Sequence, residues 1–117
     1  MKIGVMVQEG PYQHQASDSA WEFVQAALAR GHEIVGVFFY TDGVHNVNRF
    51  MNPPGERVIG KRWSELGARG IPLVACVTDS TYRGITPEIA VPNVKISGLG
   101  NLAEFIQAAD RFVTFGD

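Results

Sequence analysis

The stretch Glu33-Ile34-Val35-Gly36-Val37-Phe38-Phe39-Tyr40 decides the fold. Ile34, Val35, Val37, Phe38 and Phe39 follow one another almost without a break and without polar alternation. A strand with one wet face alternates apolar and polar residues, whereas an unbroken run marks a strand covered on both faces, as in a parallel sheet. Upstream, Asp18–Arg30 has helical spacing, with Ala20, Phe23, Val24, Ala27 and Leu28 on one face. Ser17 or Asp18 is placed to cap the start of this helix and Gly31 to end it. Trp21 falls off the centre of that face, a placement suited to an interface. Before the helix, Lys2–Val7 reads as a short buried strand closed by Gly10-Pro11.

Downstream, a polar stretch over Thr41–Asn52 leads to Pro53-Pro54-Gly55. The spacing then predicts a second helix over Val58–Ala68, with Ile59, Trp63 and Leu66 inward and Gly67 and Gly70 marking its end. Ile71–Val77 is the expected third strand, with Pro72 near its start, where a missing N–H is tolerated. Thr78–Gly84 suits a short helix or turn, and Thr86–Asn93, with Pro87 and Pro92, a loop or broken helical turn. Val94–Ser97 is a short strand, Gly98-Leu99-Gly100 a turn, Leu102–Ala109 a helix with Leu102, Phe105, Ile106 and Ala109 inward, and Arg111–Phe115 the last strand. Alternation of strand and helix in this order predicts an α/β fold: a doubly wound parallel sheet of about five strands with helices on both faces.

The 117 residues suit one domain over 1–117, long enough to bury a core without disulfide or metal staples. Hydrophobic residues at 45% and charged residues at 19% are ordinary for a globular chain. A net charge of −2 argues against direct binding of nucleic acid and permits self-association. The apolar run at the N-terminus is too short for a signal peptide, and no run approaches the length of a membrane span. One cysteine forms no internal disulfide, so a cytoplasmic location is expected, where a lone thiol stays reduced.

In open α/β sheets, reactive groups gather beyond the carboxyl ends of the strands, and Cys76 lies at that end of the third strand. If a helix starts at Thr78-Asp79-Ser80, its amides and dipole favour the thiolate, the form that attacks sulfur donors. Arg83, seven residues on, is a source of further positive charge, and Asp79 opposes the effect if it nears the sulfur. The alternative is a buried, inert cysteine, the commoner case for an isolated free thiol. Glu9-Gly10-Pro11-Tyr12 sits where a phosphate loop would lie, but neither G-x-G-x-x-G nor G-x-x-x-x-G-K-[ST] is present. His14, His32 and His45 have no metal-ligand spacing. His14 and His45 follow strands one and two and are candidates to border Cys76, or simply exposed loop histidines; His32 suits a structural role. Tyr12, Trp21, Tyr40, Phe50 and Trp63 suit either subunit contacts or edge packing within one subunit.

Several of these stretches together resemble the DsrE/TusD family. They are Glu9–Ala20, Gly31-His32-Glu33-Ile34, Val37-Phe38-Phe39-Tyr40-Thr41-Asp42-Gly43-Val44, Val74-Ala75-Cys76-Val77 and Arg83-Gly84-Ile85. Ser97-Gly98-Leu99-Gly100, Leu102-Ala103-Glu104, and Ala109-Asp110-Arg111 with Phe115 complete the pattern, so that it covers nearly the whole chain. The resemblance implies a DsrE/F-like fold and a sulfurtransferase subunit that carries sulfane sulfur as a persulfide on Cys76, with no metal or organic cofactor. It implies assembly with DsrF/DsrH-like (TusC/TusB-like) subunits in a hexamer and exchange with a TusA-like sulfur carrier, with no direct nucleic acid and no membrane partner. Sulfur oxidation of the DsrEFH kind is the expected pathway, on the likeness of the Gly10–Ala20 loop. The alternatives are a TusD-like relay to tRNA 2-thiouridine, or a non-catalytic small-molecule-binding or structural subunit. Two departures stand out: Val77-Thr78-Asp79-Ser80-Thr81-Tyr82 replaces the family's alanine run and extra arginine, and the stretch between Ile85 and Ser97 is shorter.

Overall fold

The computed structural model describes residues 1–116. Five strands, β1 (Lys2–Val7), β2 (Glu33–Phe39), β3 (Leu73–Cys76), β4 (Lys95–Ser97) and β5 (Arg111–Phe115), form one sheet in the order β4-β3-β2-β1-β5. Every pairing is parallel. Helices α1 (Ala16–Ala29), α2 (Ile59–Ala68), α3 (Val77–Tyr82) and α4 (Leu99–Ala108) connect successive strands, and a 3₁₀ helix spans Thr41–Val47. Strand order runs outward from β1 to β4 and then returns across the sheet to β5, the doubly wound pattern that the alternation of elements predicts.

The continuous apolar run of β2 is buried as that pattern requires: Val37, Phe38 and Phe39 are fully enclosed at the middle of the sheet. On one side Phe39 meets Trp63 of α2 edge-on, with ring centroids 5.1 Å apart. On the other, Phe105 of α4 fills the hollow over Gly36, where an added Cβ would lie 2.3 Å from the Phe105 ring. Glycine at that position lets α4 approach the sheet backbone closely.

Helix α2 turns Ile59, Trp63 and Leu66 inward as expected. Helix α1 buries Ala20, Val24 and Ala27 and ends at Gly31, whose φ is +83°. The Gly31 amide donates to the Leu28 carbonyl and the His32 amide to the Ala27 carbonyl, a paired C-terminal closure that needs a left-handed residue.

Four expectations are corrected. Helix α1 starts at Ala16 with Gln15 at its N-cap and no side-chain cap, because Ser17 and Asp18 are used elsewhere. The Ser17 hydroxyl donates to Asn46 Oδ1, and Asp18 accepts from Arg57 and Arg62. Strand β3 stops at Cys76, and Val77 already belongs to α3. Gly98 is not part of a turn but the extended N-cap of α4, which therefore begins at Leu99. Ile106 is 49% exposed: with Phe105 turned to the sheet, the next residue, about 100° round the helix, points away.

Candidate active site

Strand β3 delivers Cys76 to the carboxyl end of the sheet, beside Ser97 of β4 in register. Cys76 is the N-cap residue of α3, with extended backbone at φ −60° and ψ 124°. Helix α3 lasts six residues and closes on Gly84, at φ +69°, with the Ile85 amide donating to the Ser80 carbonyl at 2.9 Å. Ile85 is buried and pins that closure to the core. The strand-to-helix corner is therefore sharp, and the cysteine sits at it.

The thiol is covered. Cys76 is a free cysteine with 3% of its surface exposed and counts among the apolar core. The 3₁₀ helix packs against both β3 and α3, the two elements that meet at Cys76. This helix lies close to the sheet because of Gly43: a Cβ there would stand 2.0 Å from the Val7 carbonyl oxygen. Asn46, wholly buried, ties the same segment to the loop after β1. Its amide group donates to the carbonyls of Glu9 at 3.0 Å and Gly43 at 2.9 Å.

Polar contacts then join the 3₁₀ helix to α3. The Thr41 amide donates to Asp79 Oδ2 at 2.7 Å, and Arg83 Nε donates to Asp42 Oδ1 at 2.8 Å. Arg83 also donates to the Asp79 carbonyl at 3.1 Å and lies 3.7 Å from its carboxylate. Thr41, a β-branched residue, is held at φ +49°, a left-handed conformation that such residues rarely adopt. Its hydroxyl donates toward the Gln8 and Tyr40 carbonyls. The Arg83 hydrogen bond holds the Asp42 carboxyl below its ordinary value.

These contacts show where the polar side chains of α3 and the 3₁₀ helix are engaged. Arg83 and Asp79 are occupied with each other, Asp42 and Thr41. His45 lines a cavity of about 300 Å³ with Gly10, Pro11, Gln13 and Asp42, a group that does not include Cys76. His14 lies 3.5 Å from Glu9, and His32 Nδ1 is 2.8 Å from the N-terminal amine. Among the described residues, no group of three or more His, Cys, Asp or Glu side chains is arranged to hold a metal. No helix of the described residues is long and apolar enough to cross a membrane.

The aromatics divide. Trp63 is core, Trp21 is half-buried under the Arg62 guanidinium at 3.8 Å, and the Tyr12 hydroxyl is bonded at the start of α2. Phe50 is 65% exposed. Thr41, Asn46 and Ser80 carry the architecture around Cys76, and pattern reading of the sequence did not single them out for it. Thr41 lay with Asp42-Gly43 in the stretch quoted after β2 and Ser80 in the Thr78-Asp79-Ser80 helix start, whereas Asn46 had no signal.

The model of the DsrE/DsrF-like family matches residues 1–115. This chain belongs to the DsrE/DsrF-like family. A protein of Allochromatium vinosum provisionally named sulfurtransferase DsrE is 47% identical over 130 residues, covering 100% of both chains. The sulfurtransferase TusD of Cronobacter sakazakii is 35% identical over 128 residues, covering 98% of this chain and all of that one. Among solved structures, the ychN protein of E. coli superposes with a TM-score of 0.89 at 24% identity, over 98% of this chain and 99% of that one. A protein of unknown function from Methanobacterium thermoautotrophicum does so at 0.69 and 16% identity, over 96% and 97%. These two likenesses establish the fold. The DsrE/DsrF-like chain thus has the expected parallel sheet, with its one cysteine at the strand end where the resemblance set it.

Proposed function

We propose that this chain is a sulfurtransferase subunit that carries sulfur on Cys76. The observation that supports this most is the placement of the chain's one cysteine at the β3–α3 corner, in a family whose named relatives are sulfurtransferases. The Cys76 thiolate attacks the outer sulfur of a donor persulfide. A new S–S bond forms, the donor's S–S bond breaks, and the donor leaves as a thiolate. Cys76 now bears the persulfide. An acceptor thiolate then attacks that outer sulfur, the bond to Cys76 breaks, and the Cys76 thiolate is restored. Neither half changes the overall oxidation state, so no oxidant or reductant is required. Cys76 is the N-cap residue of α3, and its side chain caps none of the first-turn amides.

Both steps pass sulfur between proteins, so the reading calls for a carrier of the TusA type and for DsrF/DsrH-like neighbours. The likeness of the Gly10–Ala20 loop to the oxidation branch supports a place in sulfur oxidation over one in tRNA thiolation, and the chain is 47% identical to the DsrE relative against 35% to the TusD one. The test is mass spectrometry after incubation with a persulfide donor. The expected result is a gain of about 32 Da, one sulfur, on the wild type and none on Cys76→Ser. A wild type that gains nothing from any protein or small-molecule persulfide rejects the proposal.

A further inference from the structure

A carrier thiol has to be reached from outside, yet Cys76 is 3% exposed. The elements that meet at its corner are of unequal permanence. The 3₁₀ helix and α3 meet beside the β3–α3 corner, and hydrogen bonds link them: Thr41 to Asp79, and Arg83 to Asp42. The Asp42 side chain is 62% exposed, so water and salt compete for its partner.

Each side of this seam also carries a cost. Thr41, the first residue of the 3₁₀ helix, is in the left-handed region. Such strain persists only when surrounding contacts over-determine it, and it gathers at segments that switch. Ser80, the buried residue of α3, is wholly enclosed, and its hydroxyl has no hydrogen-bond partner. An unpaired buried hydroxyl regains water when its helix lifts, which lowers the cost of opening. The closed state is held by the Arg83–Asp42 pair, by the partly buried Thr41–Asp79 bond and by Ile85 at the end of α3, and it is opposed by two local penalties.

We propose that the Asp42–Arg83 and Thr41–Asp79 contacts form a latch between the 3₁₀ helix and α3, and that its opening uncovers Cys76 for sulfur exchange. This rests on Cys76 as the carrier group. Separation of the two elements opens the corner while β3 stays paired in the sheet. A docking protein that draws Asp42 or Arg83 into its own contacts trips the latch, so uncovered sulfur is offered to a bound partner and hidden from free solutes.

Alkylation by iodoacetamide tests the latch independently of persulfide chemistry. The second-order rate at Cys76 reports the open fraction when closing is fast. Asp42→Asn and Arg83→Gln should each raise the rate about two- to fivefold, the scale of an exposed ion pair. The double variant should match Arg83→Gln alone, because the two changes remove one shared interaction. Ser80→Ala should slow alkylation, since the closed state then buries no unpaired hydroxyl. Glu56→Gln, which removes an exposed carboxylate ahead of α2, should leave the rate unchanged. In the wild type, raising salt to about 0.5 M should speed the reaction by screening the pair.

Opposite signs for Ser80→Ala and Asp42→Asn separate the latch from general loosening of the fold. The latch is overturned if Asp42→Asn and Arg83→Gln react at the wild-type rate, or if Ser80→Ala speeds the reaction. It is overturned too if wild-type Cys76 reacts as fast folded as in urea. Gain of a sulfur from a donor with these rates unchanged rejects the latch and keeps the carrier. The expected rates with no sulfur gained from any donor do the reverse.

Discussion

Helices α2 and α3 both lead from one sheet strand to the next, and they are fastened by different forces. Helix α2 has ten residues and turns Ile59, Trp63 and Leu66 into the core at 2%, 0% and 1% exposure. Helix α3 has six residues, buries Ser80, and leaves Val77 and Tyr82 at 43% and 82% exposure. Each encloses an unpaired polar atom, Trp63 Nε1 in α2 and Ser80 Oγ in α3. In α2 the apolar area around the indole outweighs that cost, at about 25 cal/mol per Å². In α3 there is less such area, and polar contacts do more of the holding: the exposed Arg83–Asp42 pair at about 1 kcal/mol or less, and the partly buried Thr41–Asp79 bond at about 1.5–3 kcal/mol. A chain can thus keep one connection permanent and leave its neighbour, beside the reactive residue, easy to move.

The largest expected effect breaks the permanent side. Trp63→Ala removes the ring that meets Phe39 at 5.1 Å and leaves a cavity under α2. A loss of about 3–5 kcal/mol in unfolding free energy should follow, read by urea denaturation. A loss under about 1 kcal/mol would mean that α2 is no better fastened than α3, and the contrast would fail.

A smaller effect concerns the polar side of α2. The Arg57 hydrogen bond holds the Asp18 carboxyl below its ordinary 3.8, and Arg62 adds to this at 3.1 Å. The group therefore binds its proton less readily folded than unfolded. Its contribution is fully present above the unfolded value near 3.8 and is lost as pH falls through the lower folded value. Asp18→Asn should cost about 1 kcal/mol at neutral pH, and the gap to wild type should close on acidification below about pH 4. Denaturation series at both pH values check this; a gap that stays constant into acid would assign the loss to packing instead of charge.

Much of this division was written in the local pattern. Strands β1 and β5 fall on Lys2–Val7 and Arg111–Phe115 as the apolar runs indicate, and the inward residues of α2 follow from their spacing. The place of Cys76 at a strand end was legible because an apolar run stops there. Pattern failed where a residue's duty depends on a distant partner. Ser17 and Asp18 look like caps, but Asn46, Arg57 and Arg62 claim them across 29 to 44 residues. The seam over Cys76 joins residues 38 and 41 apart, so neither Thr41–Asp79 nor Asp42–Arg83 leaves a mark at helical or strand period. Burial of the thiol was one of the two outcomes open to a lone cysteine in the sequence, whereas the seam beside it left no signal.

The smallest effect has the opposite sign and falls on α3. Ser80→Ala takes away a hydroxyl that is enclosed without a partner, while the methyl group keeps most of the packing. An unpaired buried polar atom costs about 1–3 kcal/mol, and only part returns because the alanine fills less space. The gain belongs to local opening rather than global unfolding, since α3 can part from the 3₁₀ helix while the sheet persists. Amide hydrogen exchange over Val77–Gly84 should therefore slow several-fold, while the urea midpoint barely moves. The matching change in α2, Trp63→Phe, also deletes an unpaired donor, yet it empties the space of the larger ring and should destabilise. The same chemical deletion then helps one helix and harms the other, because only in α2 does packed apolar area outweigh the polar defect.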